Sequence, residues 1–189
     1  MTDLVFNEAE SIALLKFHLK KQDLESALSL GKRAVISFPE NNIIRFILAS
    51  VQSDIGLYEQ AQKDYLHCLD ADPEFHLARF QLALMYWNHS HQTQSVDEFQ
   101  QIANSEQETF LNHFSRGFIQ LSENNLSEAK THFQTGMTNN LLLPDLNTDI
   151  QKLINNLETN KTDNNVESEM SDNAASESIT PAHLSKYFS

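Results

Sequence analysis

The sequence predicts an all-α protein, on two observations about composition and patterning. Only four of the 189 residues are glycine, and leucine, alanine, glutamine, glutamate and phenylalanine are frequent, which argues against a sheet protein. Apolar residues recur three and four places apart, so they fall on one face of a helix. A chain of this length can hold one sizeable core or one array of helical repeats.

Charge and cysteine content limit the class of partner and the cellular compartment that we expect. The formal net charge is −13 at pH 7, so we expect no nucleic-acid partner, because an acidic surface repels phosphates. The single cysteine, Cys68, excludes an internal disulfide and fits a reducing compartment. The N-terminal stretch is acidic, and no window approaches the ~18 apolar residues of a membrane span, so we expect neither a signal peptide nor membrane insertion. We therefore predict a cytoplasmic protein.

The most regular stretch, Asn42 to Pro73, predicts two short amphipathic helices joined by a turn. Gly56 stands where a chain that leaves a helix needs a positive φ angle. Pro73 falls just past the second helix, which a proline cannot extend. The small residue Ala61 marks the point where the two helices can pack most closely. This stretch is therefore a helical hairpin.

The same pattern recurs along the chain at a period of 34 residues. Ala27 stands one period before Ala61, and Ser95 and Ala129 stand one and two periods after it. Pro39 and Pro73 are also one period apart. Such self-similarity predicts stacked copies of one supersecondary unit. The four units start near Glu8, Asn42, His76 and Phe110.

This pattern resembles the tetratricopeptide repeat (TPR) family, whose units have a Leu-Gly/Ala pair, a Gly-x-Tyr turn, an alanine-aromatic-alanine set and a closing proline. Residues 42–75 match at nearly every place, whereas the third unit has Ser90 and Gln92 in the turn and the fourth has Arg116 in place of leucine. The resemblance covers roughly residues 7–158. It implies a right-handed superhelix (an α-solenoid) of four helix-turn-helix repeats, 8–41, 42–75, 76–109 and 110–143, whose first helices line a concave groove.

The C-terminal part predicts a capping helix and then a disordered tail. An apolar stripe runs along residues 145–158 opposite a polar face, as the end of a solenoid requires. It consists of Leu146, Ile150, Leu153, Ile154 and Leu157. Residues 1–158 thus form one predicted domain, and residues 159–189 form an acidic tail with little to bury. Residues 181–189 regain apolar side chains and are either a short docking motif or a frayed end.

The first helices predict a groove that binds a protein or peptide partner. In the TPR family the groove residues lie at the second, fifth, ninth and twelfth places of each first helix, which form one stripe. In units two to four these places hold ten apolar residues: Ile43, Phe46, Leu77, Phe80, Leu84, Trp87, Leu111, Phe114, Phe118 and Leu121. An apolar patch of this kind usually marks a binding site. Two alternatives are that the rings pack against neighbouring helices, or that residues 181–189 occupy the groove.

The polar residues near the groove do not form a carboxylate clamp. TPR co-chaperones that grip a C-terminal carboxylate use lysine, arginine and asparagine at set places, which here hold Ile12, Lys16, Ile47, Leu77 and Gln81. The groove is more similar in polarity to that of the TPR chaperones of bacterial secretion translocators, which hold an extended apolar segment. We expect Arg45, Arg79 and Arg116 to pair with acids of neighbouring helices rather than with a partner.

We predict no enzymatic activity, metal site or cofactor. His89 and His91 lie two apart in a turn, but no cysteine or carboxylate completes a metal set at a recognisable spacing. Cys68 takes a place where the TPR family has alanine, which predicts a buried and inert thiol. The predicted function is a non-catalytic interaction module: an adaptor, assembly factor or chaperone for an apolar or helical segment. The alternatives are a secretion-type chaperone and a purely structural subunit, and the oligomeric state is left open.

Overall fold

A computed structural model describes residues 6–106 and 108–163, which form nine α-helices and no strand. The helices are α1 (Glu8–Lys20), α2 (Leu24–Ser37), α3 (Asn42–Asp54), α4 (Tyr58–Ala71), α5 (His76–Asn88), α6 (Gln92–Ala103), α7 (Phe110–Ser122), α8 (Leu126–Asn139) and α9 (Pro144–Asp163). The all-α prediction is confirmed for this part of the chain. None of the helices described is long and apolar enough to cross a membrane.

The helix starts recur at intervals of 34 residues. Helices α1, α3, α5 and α7 begin at Glu8, Asn42, His76 and Phe110, and α2, α4, α6 and α8 begin at Leu24, Tyr58, Gln92 and Leu126. One turn residue in each hairpin has a positive φ angle, at the same interval: Gln22 (57°), Gly56 (82°), Ser90 (61°) and Asn124 (62°). The four turns therefore share one backbone conformation, although glycine, the residue best suited to it, occurs in only one of them.

Short polar side chains start several of these helices. Asn7 and Glu10 form a capping box before α1, in which the Asn7 side chain accepts from the Glu10 N–H and the Glu10 side chain accepts from the Asn7 N–H, both at 2.9 Å. Asn41 accepts from the Ile44 N–H at 3.0 Å at the start of α3. Each such bond satisfies an N–H group that the helix itself leaves without a partner.

The chain divides into two compact units, one up to Gln81 and one from Leu82 onward, with the boundary inside α5. In the first unit α1 packs on α2, and α3 packs on α1, α2 and α4. In the second unit α7 packs on α6 and α8, and α8 packs on α9. Within each unit consecutive helices thus pack as helix-turn-helix pairs, which is the local arrangement of an α-solenoid.

Helices α3 and α4 show the antiparallel geometry of one hairpin. The Asn42 side chain donates to the Cys68 carbonyl at 3.4 Å, so the start of α3 lies beside the end of α4. Nearer the turn, the Gln52 amide donates to the Asp64 carboxylate at 3.0 Å. These two bonds fix the register of the pair from either end.

Helix α9 is longer than the predicted cap. It begins at Pro144 and continues to Asp163, five residues past the predicted end at residue 158. Residues 159–163, which we assigned to the tail, are therefore helical, because no glycine or proline occurs within residues 145–163 to end the helix earlier. Three members of the predicted stripe, Leu146, Ile150 and Ile154, are each only 2 % exposed. Residues 164–189, including the possible motif at 181–189, lie outside the described part.

Candidate partner-binding surface

The ten predicted groove residues fall into two groups according to their place in the helix. Those at the fifth and ninth places are all buried, and they are Phe46, Phe80, Leu84, Phe114 and Phe118. Of those at the second and twelfth places, Ile43 is exposed, Leu77, Trp87 and Leu121 are partly exposed, and Leu111 is buried. The rings of Phe46, Phe80, Phe114 and Phe118, which we expected to line an open groove, are therefore core in this structure. A role of these rings in partner binding stays a prediction.

In the first unit, Phe46 is buried because α4 and the segment after it cover its ring. Its centroid lies 6.1 Å from that of Tyr65 and 5.1 Å from that of Phe75. The Tyr65 hydroxyl donates to Ser50 Oγ at 3.2 Å, and Ser50 Oγ donates to the Phe46 carbonyl at 2.8 Å. Burial raises the pKa of the Tyr65 hydroxyl well above its usual value. This chain of polar groups is therefore neutral and fixes the ring in place.

In the second unit, Phe118 is the centre of an aromatic cluster. Its ring stacks on Phe99 with centroids 4.7 Å apart and planes 3° apart. Phe133 and Trp87 meet it edge-on, at 5.1 Å and 5.4 Å. Offset stacks and edge contacts are the favourable geometries for aromatic rings. Phe118, the residue at the ninth place of α7, is thus enclosed in the core of its own unit.

Two helical glycines explain why the rings fit inside, and they are the sequence signal that we missed. A Cβ atom on Gly117 would lie 2.5 Å from the Phe133 ring, and one on Gly136 would lie 2.5 Å from the Phe114 ring. Since no Cβ atom approaches a carbon so closely, each ring fills space that only glycine leaves open. Glycine inside a helix costs stability, so its presence at two such places indicates close ring packing.

Trp87 and Leu121 are the predicted groove residues of the second unit that keep accessible surface. Trp87 is the only tryptophan of the chain, and it is partly exposed. Its ring meets the buried Phe118 edge-on, so it stands on a rigid base. Leu121 lies three residues after Phe118 on α7 and so shares its helix face. In the first unit, Ile43 and Leu77 are the accessible predicted residues, at the starts of α3 and α5.

Two arginines one period apart tie the helices to the connections that precede them. Arg45 donates to the Pro39 carbonyl at 3.2 Å and forms an ion pair with Asp64 at 3.0 Å. Arg79 donates to the Pro73 carbonyl at 3.0 Å. The expected pairing of Arg45 with a neighbouring helix is confirmed. The spacing of each arginine, six residues after a proline, was visible in the sequence and indicates this bond.

Arg116 pairs with an acid of the connection that precedes its own helix, Glu108, rather than with an acid of a neighbouring helix. Its guanidinium holds both oxygens of Glu108, at 2.5 and 3.1 Å, and donates to the Ala103 carbonyl at 3.1 Å. His113 Nε2 lies 3.4 Å from the Glu108 carboxylate, and the His113 and His132 rings stack at 6.4 Å. The Arg116 hydrogen bond lowers the pKa of Glu108, and burial, together with the nearby positive charges, lowers the pKa of His132.

Cys68, His91 and the possible metal ligands are groups that could carry chemistry. Cys68 is buried, and burial raises the pKa of its thiol to about 12, which confirms the expected inert thiol. His91 precedes α6 and meets the Tyr86 ring edge-on at 6.2 Å. Within residues 6–106 and 108–163, no group of three or more His, Cys, Asp or Glu side chains is arranged to hold a metal ion.

Asp54, the last residue of α3, is a titratable group that the sequence did not single out. Burial raises the pKa of its carboxyl to about 7. Its charge therefore changes near neutral pH, where an ordinary aspartate is fully ionised. The consequence is a pH-dependent stability rather than a binding site.

A scan against protein-family models and a search of curated proteins found no match to this chain. Membership of the TPR family therefore stays the prediction that the repeat pattern makes. The geometry supplies repeated helical hairpins and a rigid aromatic ring, Trp87, that keeps accessible surface at a predicted groove place.

Proposed function

We propose that this protein is a non-catalytic interaction module of the TPR type: an adaptor, assembly factor or chaperone that binds an apolar or helical segment of a partner protein. The observation that carries the proposal is the accessible edge of Trp87, held by the core ring of Phe118 at 5.4 Å. Leu121 extends this surface along the same face of α7. The proposal includes a right-handed stacking of the repeats and a cytoplasmic location.

A tryptophan mounted on a rigid core is well suited to anchor a partner. Aromatic side chains bury ~150–250 Å² each, and tryptophan is among the residues most enriched at binding hot spots. Because the Phe118 contact already fixes the Trp87 ring, little side-chain freedom remains to be lost on binding. The interaction therefore keeps most of the free energy gained by burying the apolar surface.

The charge of the protein limits the chemistry of the partner. With a net charge of −13, an acidic segment would be repelled during approach. A segment that is apolar on one face and neutral or basic on the other can bury its apolar face against Trp87 and is not repelled by the acidic protein. An amphipathic helix presents its apolar residues three and four places apart, which suits a binding surface built from helix faces.

Selection of peptides on the intact protein tests this proposal while the natural partner is still unidentified. A displayed library of random peptides long enough for a few helical turns is selected on the wild-type chain. We expect enrichment of amphipathic sequences without net negative charge. Because Trp87 is the only tryptophan, binding of tryptophan-free peptides should shift its emission to the blue and protect it from acrylamide quenching.

A pair of matched variants decides whether the selected peptides use this surface. Trp87→Ala combined with Leu121→Glu should weaken binding of a labelled peptide by at least about thirtyfold, which corresponds to the loss of one hot spot of ~2 kcal/mol. Ile36→Glu changes an apolar residue on α2 that is 81 % exposed and should bind as wild type does. Unchanged binding by the double variant, or enrichment of acidic peptides, contradicts the proposal.

A further inference from the structure

Two histidine rings stack where α7 and α8 meet. His113 on α7 and His132 on α8 lie with their ring centroids 6.4 Å apart and their planes 28° apart. His132 is partly exposed, and the His113 side chain is only 17 % exposed. We call these two residues the histidine pair. Because histidine ordinarily changes charge between about pH 5 and pH 8, this contact joins two helices through groups that acid can charge.

The two helices approach each other closely at the histidine pair. Gly136 lies one helical turn after His132 and is buried against α7. A Cβ atom built on Gly136 would lie 3.3 Å from His113 Cβ and 2.5 Å from the Phe114 ring. Helix α8 therefore rests directly on the base of the His113 side chain. Because the packing is this close, His113 has little room to move away from His132 unless the two helices part.

His113 has a carboxylate near one of its two ring nitrogens and no acceptor near the other. Its Nε2 atom lies 3.4 Å from the Glu108 carboxylate, so Nε2 is the nitrogen suited to carry the proton of the neutral ring. The Nδ1 atom is buried and has no hydrogen-bond partner in the part of the chain that the structure describes. A second proton, at Nδ1, would therefore create a buried N–H group without an acceptor, which is costly.

The negative charge near the histidine pair comes from Glu108 and Glu128. Both oxygens of Glu108 are held by Arg116, which also donates to the Ala103 carbonyl of α6. Because this ion pair is nearly neutral, it attracts a further positive charge only weakly. Glu128 precedes His132 by one turn of α8, and it is exposed, so its attraction is reduced by solvent.

The positive charge near the histidine pair comes from Arg116 and, after protonation, from the two rings themselves. Burial, and then the charges of Arg116 and His113, lower the pKa of His132. Helix α9 meets α8 through the ion pair of Glu158 with Lys130. Two protonated rings with centroids 6.4 Å apart would repel each other across a contact that is partly shielded from solvent.

We propose that the histidine pair is an acid-sensitive latch, which holds α8 on α7 while both rings are neutral and weakens this contact when both are protonated. The repulsion is relieved either by rotation of the His132 ring into solvent or by separation of the helices, and both end the stack. Phe133, the residue after His132, packs edge-on against Phe118 at 5.1 Å. Opening of the latch therefore also loosens the aromatic core of the second unit.

Urea unfolding of the full 189-residue chain at about pH 7.5 and about pH 5 tests the latch. The unfolded chain binds a proton at the ordinary histidine value of 6.5 and the folded chain binds it more weakly, so this stability is complete above pH 6.5 and is lost below it. From the higher pH to the lower, the unfolding constant of the wild type should rise about five- to tenfold relative to that of His132→Gln.

The comparison between two chains removes the effect of the carboxyl groups, including Asp54, because they titrate alike in both. The control is His67→Gln, which changes an exposed histidine on α4 and should respond to acid as wild type does. A ratio of the two unfolding constants that is the same at both pH values overturns the proposal.

An NMR titration decides whether the two rings act as a pair or whether His132 responds alone. His113→Gln removes the like charge, so the pKa of His132 should rise by about half a unit or more. His113→Phe, which keeps an uncharged ring in the stack, should have the same effect, and His67→Gln should have none. A pKa of His132 that is unchanged in both His113 variants, in chains that keep their helical circular dichroism, overturns the latch.

Discussion

Asp54 shows how the position of one carboxyl group can make stability depend on pH. Burial raises its pKa to about 7 from an ordinary value of 3.8. The folded state therefore holds a proton that the unfolded state releases, over the interval between these two values. Since the folded state then binds more protons, the free energy of unfolding falls as pH rises through this interval, and it is lowest above pH 7.

Asp54→Asn should remove this pH dependence. The asparagine cannot ionise, so it resembles the protonated carboxyl that the folded state prefers. Relative to wild type, we expect the variant to gain stability that rises from about 2 kcal/mol at pH 5 to about 4 kcal/mol above pH 7, since each unit of pKa difference is worth ~1.4 kcal/mol. Urea unfolding of both proteins at several pH values measures the difference, and a difference that stays constant with pH contradicts the raised pKa.

The burial of the phenylalanines shows what the sequence could not predict about single residues. The repeat register placed Phe46, Phe80 and Phe114 on one stripe of successive first helices, but it does not say how closely the next helix approaches that stripe. The distance between the two helices depends on the residue that faces the ring from the second helix. Gly136 lets α8 approach until it contacts the Phe114 ring. The same stripe is therefore core at its centre, whereas Trp87 at its end keeps accessible surface.

At the scale of elements, the four hairpin turns are one structural solution built from four different residues. Each places a residue at a φ angle between 57° and 82°, a region that residues with a Cβ atom adopt only at a cost. Gly56 meets this need without strain, and asparagine, as at Asn124, tolerates it better than most residues. Ser90 and Gln22 carry the strain, which is compensated by the packing of the helices on either side.

Substitutions in the turns should therefore change stability in opposite directions. Ser90→Gly should stabilise the protein by about 0.5–1 kcal/mol, because the relief of strain outweighs the greater freedom of glycine in the unfolded chain. Gly56→Ala should destabilise it by about 1 kcal/mol or more, although its Cβ would meet no atom closer than 3.9 Å. The midpoints of urea unfolding measure both effects.

The control for the turn substitutions is Ser90→Ala, which keeps a Cβ atom at the strained position. We expect this variant to unfold at nearly the urea concentration of the wild type. If Ser90→Ala stabilises the protein as much as Ser90→Gly does, the gain comes from removing the hydroxyl group rather than from backbone strain.

Helix boundaries could be predicted where a local sequence signal sets them, and they could not be predicted where no such signal is present. The 34-residue period and the capping residues fix the helix starts, because these signals act within one turn of the helix. The continuation of α9 past residue 158 carries no such signal, as no glycine or proline follows Pro144 within residues 145–163. The exposure of Leu141 and Leu142 could not be predicted from the sequence either, because it follows from the hydrogen bonds of Asn140 with residues on both sides of the turn.

At the scale of the whole molecule, the net charge of −13 makes self-repulsion a general cost of compactness. The positive charge is unevenly distributed, since Lys16, Lys20, Lys21, Lys32 and Arg33 all fall in α1, α2 and the α1 C-cap. In the rest of the described part, residues 38–106 and 108–163, acidic side chains outnumber basic ones, and folding brings these like charges closer together. Repulsion between exposed charges is screened by salt over a distance of ~10 Å at 0.1 M.

Added salt should therefore stabilise the protein near neutral pH. Raising sodium chloride from about 0.02 M to about 0.2 M should increase the melting temperature by about 2–5 °C, as screening removes about 1 kcal/mol of repulsion. The ion pair of Arg45 with Asp64 opposes this trend only slightly, because its side chains are 14 % and 18 % exposed and the pair is poorly screened. Circular dichroism at low protein concentration measures the shift without interference from association.

The same titration near the pH at which positive and negative charges balance is the control. There the repulsion is small, so the melting temperature should hardly respond to salt. A rise of equal size at both pH values would point to the general effect of salt on apolar burial. A melting temperature that falls with salt near neutral pH would mean that attractive pairs such as Arg116 with Glu108 outweigh the net charge, and that the folded chain arranges its charges more favourably than their sum indicates.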